Sequence, residues 1–462
     1  MRGTEAARAL TGGTDVQSAL RALGNKELVF PHQPSTFASA QEFIFKHAIL
    51  REVTYERVLK AKRKLYHRLA ADWLIQQSGE RIDEYLGSIA QHYELAGDTS
   101  QAVEFLERAA GQSMRLSAYP EALSAAERAL TILASSEDTN LARRARLLLT
   151  IGMAHLWLTD HATATARFEE CIALARTIDD RGLESKALAR LGRIGLEQGK
   201  FEQSEAHLKN SLEIAQQLND IDVLAYTLAH LGYISHYQGR YDAAQKYGEE
   251  SYEFAKKSGD TIAQAFSLNM LAMISVNNGR FEQGYNYHLQ AIEICKRAGD
   301  RYGLARAYGN LSELLRIQKR YAEAKPYTLE AIKLAYELGN RYVLPIMLIN
   351  LSYSQVGLGE IHEAYHSVRE ALQFNIEGDS TSWVLFSLVG YANVLVAEGK
   401  REPALEILGL CMDHPETNSD THRDIQLVLE ELGELPSEEL EAGLARGKSL
   451  DLNKTVVKAL GG

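Results

Sequence analysis

The chain has 462 residues, 45% hydrophobic and 24% charged, which excludes a disordered polymer and allows a sizeable core. A net charge of −11 and a pI near 5.8 exclude a general nucleic-acid coat and a binder of anionic membranes. Only 8 prolines occur, and none lies between Glu121 and Lys325, so the turn signals of a β-sandwich or barrel are missing.

The first twenty residues lack the continuous apolar run of a secretory signal. Cys171, Cys295 and Cys411 stand more than a hundred residues apart, a spacing that supplies neither a metal framework nor a disulfide lattice. A cytoplasmic location is therefore expected. Residues Asp15 to Ile75 suggest a short helix, an extended segment, a Pro- and Ser-containing turn, a returning strand (QEFIFKH) and one basic helix, REVTYERVLKAKRKLYHRLAADWL. Helix, hairpin and helix is the outline of a winged-helix module. The stretch FIFKHAILREVTYERVL through YHRLAADWL resembles the part of STAND signalling ATPases that joins the winged helix to a helical arm. That resemblance implies an upstream nucleoside triphosphatase or cyclase domain absent from this chain, which begins inside the expected winged helix.

From Glu84 to Leu410 the dominant feature is internal repetition. Turns recur at Gly199-Lys200-Phe201, Gly239-Arg240-Tyr241, Gly279-Arg280-Phe281, Lys319-Arg320-Tyr321, Gly359-Glu360-Ile361 and Gly399-Lys400-Arg401, always 40 residues apart. A degenerate copy stands at Thr159-Asp160-His161. Asp180, Asp220, Asp260, Asp300 and Asn340 mark the opposite loop with the same step. Each unit reads as two amphipathic helices, with Gly as C-cap and Asp or Asn as N-cap. A small residue seven positions before each turn (Gly192, Gly232, Ala272, Ser312, Ser352, Ala392) lets two helix backbones approach closely. The frame of LGYISHYQGRYDAA, Leu231 to Ala244, resembles the tetratricopeptide repeat in its long-period form. The fold expected is all-α: a right-handed TPR-like solenoid of helical hairpins behind a winged-helix-like remnant. Domain limits are expected at 1–77, 78–412 and 413–462, the last segment forming capping helices.

Two stretches without charge, Tyr342 to Gly359 and Ser380 to Ala397, contain polar residues and keep the repeat phase, so they read as buried helices rather than membrane spans. His362-Glu363-Ala364-Tyr365-His366 spells HExxH, the pattern of a zinc hydrolase, but it opens a second repeat helix and lacks a third ligand. Gly443 to Ser449 imitates a phosphate loop one residue short, within a segment that reads as a terminal cap. Lys60, Lys62, Arg63, Lys64 and Arg68 on the basic helix permit a winged-helix regulator that binds DNA as the second reading. In the STAND resemblance, His47 in FKHAIL corresponds to a histidine that contacts the nucleotide domain, although Ala48 stands where that family has Asp. A packed structural histidine is the alternative. The cysteines read as small core residues.

No catalytic residue, cofactor or metal is expected. First helices line the concave face in the resembling family, and the frame projects Arg190, Arg193, His230, Tyr233, Tyr237, Met273, Asn310, Glu313, Arg316, Asn350, Tyr353 and Asn393 onto it. These aromatic, Arg and Asn groups suit a protein or peptide partner in the groove. The expected function is a non-enzymatic scaffold and sensor arm of a STAND-type ATPase or cyclase, with neither DNA nor membrane as partner.

Overall fold

The computed structural model describes residues 4–11, 15–32, 42–135, 140–339, 341–378 and 380–461. It divides into two compact units, Met1–His155 and Leu156–Gly462.

In the first unit, α1 (Thr4–Thr11) and α2 (Val16–Asn25) precede an antiparallel hairpin of β1 (Val29–His32) and β2 (Glu42–Phe45). The turn between the strands lies outside the described residues. Next come α3 (Ala48–Arg57), α4 (Lys60–Ser78), a 3-10 helix (Gly79–Tyr85), α5 (Leu86–Ala96), α6 (Thr99–Arg115), α7 (Tyr119–Ser135) and α8 (Leu141–Trp157), which carries the unit boundary. The expected order of helix, hairpin and helix is present, but the single basic helix is not. It breaks between α3 and α4, where Val58 and Leu59 are extended at ψ 128° and 137°. No Gly or Pro marks the bend; contacts across it hold it instead. The Tyr55 hydroxyl meets His67 Nε2 at 2.8 Å, and Arg63 pairs with Glu56 at 3.0 Å. The unit's core runs from α4 to α8, around Trp73, Ile89, Tyr93 and Phe105 and on to Leu133 and Ile151.

The second unit runs through α9 (His161–Thr177), α10 (Arg181–Glu197), α11 (Phe201–Leu218), α12 (Ile221–Tyr237), α13 (Tyr241–Ser258), α14 (Thr261–Asn277) and α15 (Phe281–Ala298). It continues with α16 (Arg301–Ile317), α17 (Tyr321–Glu337), α18 (Val343–Gly357), α19 (Ile361–Glu377), α20 (Thr381–Ala397) and α21 (Arg401–Met412). Three further helices close the chain: α22 (Ser419–Glu431), α23 (Ser437–Gly447) and α24 (Leu452–Ala459). From α10 to α21 these are helical hairpins in the expected phase. Among the described residues, no helix is long and apolar enough to cross a membrane.

The two punctuation marks do separate jobs. Asp180, Asp220, Asp260 and Asp300 cap α10, α12, α14 and α16, each accepting a hydrogen bond from the backbone N–H three residues on at 2.9–3.1 Å. Asn340 lies outside the described residues. At the other loop, Gly199, Gly239, Gly279, Gly359 and Gly399 take φ between +71° and +80°, closing the first helix of each pair. Lys319 adopts the same left-handed conformation at φ +58°, without glycine's freedom.

Where helices cross, the small residues are required. A Cβ on Gly192 would lie 2.4 Å from Leu208 Cγ, and one on Gly232 would lie 2.1 Å from Met270 Sδ. Polar ties repeat with the frame: Ser211 Oγ donates to Ser185 O and Ser251 Oγ to Ala225 O, both at 2.8 Å. Cys411 Sγ makes the same link to Leu385 O at 3.7 Å, and Cys171 stands at the equivalent position 40 residues before Ser211. All three thiols are buried, and burial pushes Cys171 and Cys295 up to about 12, so they pack as small core residues. The phosphate-loop look-alike is a helix crossing. Gly443 and Gly447 of α23 press on α21, where a Cβ on Gly447 would lie 2.1 Å from Glu406 O.

His288 is fully buried on α15, its Nδ1 3.1 Å from Asn269 Oδ1. Burial pushes its pKa down to about 3, so it stays neutral in the folded chain.

Gly239→Val should destabilise by about 1–2 kcal/mol through backbone conformation alone, since a Cβ there would meet nothing within 4 Å. Lys319→Gly should act oppositely, by up to about 1 kcal/mol; urea unfolding of both variants reads the signs. For His288, the unfolded imidazole takes up a proton near pH 6.5 and the folded one does not. Its contribution is therefore complete above pH 6.5 and is lost as pH falls toward 3, by up to roughly 1.4 kcal/mol per pH unit. His288→Leu, which copies Leu208 of an earlier repeat, should reduce the drop in urea midpoint between pH 7 and pH 5. An unchanged drop would show that His288 is protonated when folded.

Candidate functional site

The first helices of the hairpins, α10, α12, α14, α16, α18 and α20, face one another across an inner channel. The array curls tightly enough for residues far apart in sequence to meet. Arg193 Nη2 donates to the Tyr302 hydroxyl at 3.2 Å, Trp383 Nε1 to Glu197 O at 3.1 Å, and Ser380 Oγ to Gln198 O at 2.9 Å. Of the twelve residues projected onto the concave face, Arg193, His230, Tyr233, Tyr237, Arg316, Asn350, Tyr353 and Asn393 are buried by the chain itself. Arg190, Met273, Asn310 and Glu313 are half-buried.

Five of them gather at the end nearest α10. Arg193 pairs with Glu197 at 2.7 Å and lies 4.3 Å from the centre of a Trp157 ring. Burial alone would raise the Glu197 carboxyl, but Arg193 and then His161, at 2.9 Å, hold it down to about 2. Beside this pair runs a stack. Arg190 sits 3.8 Å over Tyr226, whose ring is 4.2 Å from His230; Phe266 follows at 4.9 Å, and Arg306 sits 3.8 Å over Phe266. Burial lowers His230 to about 3, helped by Arg193, Arg190 and Arg306. Tyr233 packs 5.0 Å from Phe266, and Tyr237 lies between Phe201 and Trp383 at 5.5 and 5.4 Å.

Donors exceed acceptors here. Among the described residues, neither Arg190 nor Arg306 meets a carboxylate. Arg306 Nε and the hydroxyls of Tyr226 and Tyr233 are buried without an acceptor; so are the side-chain amide nitrogens of Asn310 and Asn350, nearer α22, and of Asn269, whose oxygen meets His288.

The far end of the channel is occupied by α22. Ser419 Oγ donates to His236 O at 2.8 Å, and Asp420 meets His236 Nε2 at 3.2 Å. Arg423 binds Glu313 at 2.5 Å and Asn277 at 3.1 Å, while Asp424 takes Arg316 at 2.9 Å. Arg316 also donates to Asn350 at 2.9 Å and lies 4.3 Å from the Tyr353 ring centre. Three carboxylates thus face two guanidinium groups. Burial would raise Asp420, yet Arg423 and His236 hold it well below the usual range, whereas burial beside Asp420 and Asp424 raises Glu313. A void of about 10 Å³ remains among His236, Met273, Asn310, Glu313 and Arg423.

The remaining sequence candidates lie elsewhere. His47 is exposed at the start of α3 with no capping hydrogen bond, so it is not a packed core histidine. His362 and His366 are exposed on α19 with Nε2 atoms 3.1 Å apart. Among the described residues, no group of three or more His, Cys, Asp or Glu side chains is placed to hold a metal. On the outer side of α11 to α13, a hollow of about 400 Å³ has Leu224, Leu228 and Phe254 beneath Glu249, Glu253 and Lys257.

Several channel residues escaped the sequence reading. Tyr226, Phe266 and Arg306 keep the 40-residue step one helical turn before the projected positions, so the frame itself could have found them. Asp420, Arg423 and Asp424 carry no such signal, because their partners lie 108 to 184 residues away.

The tetratricopeptide repeat model matches residues 183–257 and 261–337, and the model for anaphase-promoting complex subunit 5 matches residues 109–190 and 318–397. An uncharacterised protein of Rhizobium meliloti (strain 1021) is 26% identical over 136 residues, 29% of this chain and 13% of that protein. Among solved structures, the STAND protein with a tetratricopeptide repeat sensor from Pyrococcus horikoshii aligns at TM-score 0.55 and 17% identity, over 93% of this chain and 62% of that one. A Rap protein complexed with Competence and Sporulation Factor aligns at 0.54 and 14%, over 78% and 99% of the two chains. The Rap conjugation gene regulator of plasmid pLS20, in complex with a Phr peptide, aligns at 0.51 and 15%, over 63% and 77%. These likenesses are of fold. The family model identifies residues 183–257 and 261–337 as tetratricopeptide repeats, and the caps, turns and crossings keep the same phase through α21.

Proposed function

We propose that the inner channel binds a segment of a protein or a peptide, and that the chain serves as a non-catalytic scaffold and sensor arm of a cytoplasmic STAND-type signalling ATPase or cyclase. The observation that carries this reading is the surplus of donors near α10 to α16. Arg306, Tyr226 and Tyr233 present polar hydrogens to an interior that, among the described residues, offers them no acceptor. A buried donor without a partner costs about 1–3 kcal/mol, so such a set is retained at a site where a ligand supplies the acceptors. Backbone carbonyls and carboxylates of a peptide are suitable acceptors, and the Tyr226, His230 and Phe266 stack offers contact area at low entropy cost. The Competence and Sporulation Factor and the Phr peptide named for two Rap structures of the same fold agree with this use. In this reading the winged-helix-like segment 1–77, with exposed His47, faces an upstream nucleotide domain, the array spans 78–412, and 413–462 caps it.

The test starts from a displayed library of random peptides selected on the full chain. Affinities of the selected peptides are then measured for Arg190→Ala, Arg306→Ala and the Lys256→Ala/Lys257→Ala pair. Each arginine substitution should weaken binding by about 2 kcal/mol, some thirtyfold, and the outer lysine pair should change it less than twofold. The reverse pattern would move the binding site to the outer hollow beside Lys257 and end the channel reading.

A further inference from the structure

α22 touches three hairpins that are not its neighbours in sequence as well as the one that precedes it. Its residues reach His236 on α12, Asn277 on α14, Glu313 and Arg316 on α16, and, through Asn418 just before it, Ser382 on α20 at 3.1 Å. A cap needs only an apolar face, and Ile425 and Val428 supply one. The charged side is more than a cap needs. Asp420 and Asp424, one helical turn apart, are both buried against cationic or imidazole groups of the array, and Arg423 between them answers Glu313.

Resting on the channel reading above, we infer that α22 is an intrachain stand-in for a partner: an amphipathic helix with two carboxylates four residues apart competes with it for His236 and Arg316.

Three observations support the exchange. Buried ion pairs return in attraction little more than their desolvation costs, so α22 gains specificity from them more than strength. A competitor with the same groups meets the same channel atoms and incurs the same desolvation, so the tether becomes the deciding factor. The link from α21 is short, Asp413–Asn418, which sets an effective concentration on the order of 1 mM for α22. Finally, α22 is 13 residues long and leaves Arg190 and Arg306 without carboxylates, so a longer acidic helix gains contacts that α22 does not make.

The probe is a fluorescent synthetic peptide with the sequence of residues 417–433, titrated at micromolar concentration into the full chain. Wild type should bind less than a few per cent of it, because the tethered copy wins at about 1 mM. The Asp420→Asn/Asp424→Asn chain weakens the tethered copy and should bind the peptide about a hundredfold more tightly than wild type. A peptide carrying Asn at both positions should not bind it. A folded double variant that ignores the peptide overturns the inference. If the double variant does not fold, wild type with about 1 mM peptide decides: amide exchange in α22 must quicken at least tenfold, and unchanged exchange overturns the inference. Library peptides that bind through Arg190 and Arg306 while α22 stays protected would dismiss the stand-in and leave the channel reading intact.

Discussion

The close approach of neighbouring helices, within a hairpin and between successive hairpins, is the constraint on which the second unit depends. Gly192, Gly232 and their small counterparts admit Leu208 and Met270 to within a distance that a Cβ would forbid. Helices packed this closely give each repeat a strong turn relative to the last, and the first helices come to line a channel rather than an open groove. That is why α12 and α20 are buried on nearly every side, and why the arginine of one hairpin can reach a tyrosine three hairpins later. Replace the small residues with larger ones and the curl relaxes; the cross-channel contacts go with it.

A narrow channel changes what polar residues on its wall can do. In an open groove Arg193, Arg316 and Tyr353 would be hydrated and individually of little consequence. Here they lie in low dielectric, where an unmatched charge is costly and a matched one is specific. The chain resolves this in two ways. At the α22 end, its own carboxylates enter and nearly balance the guanidinium groups. At the α10 end, Glu197 serves Arg193 and His161, while Arg190 and Arg306 rest on aromatic faces. One wall thus shows both a satisfied and an unsatisfied form of the same chemistry.

Much of the fold was legible because its determinants are local. Asp at a cap, Gly in a left-handed turn and a small residue at a crossing each act within a few residues, so a 40-residue step in sequence becomes one in space. The frame even absorbed Lys319, which keeps the turn's conformation without glycine. The frame could not show that eight of the twelve projected concave residues are covered by the chain itself. Burial there depends on how far the array curls, a sum of small rotations that no single residue records. The role of α22 was illegible for a related reason: SDTHRDIQLVLEE reads as an ordinary capping helix, and only its placement against α12 and α16 gives Asp420 and Asp424 a purpose. In the first unit, the bend at Val58 was missed because side-chain contacts fix it, not a breaker residue.

The closure between Trp383 and the Glu197 carbonyl fixes more than a local contact. A hairpin with its own caps is a unit that duplication or deletion could add or remove without disturbing its neighbours, and open arrays can drift in length by that route. This array cannot. One unit more or fewer would carry Trp383 a full step away from Glu197, and would move Asp420 and Asp424 off His236 and Arg316 together. The number of repeats is therefore quantised by the ring it must close, and variation is directed into the wall residues and the helix that fills the channel.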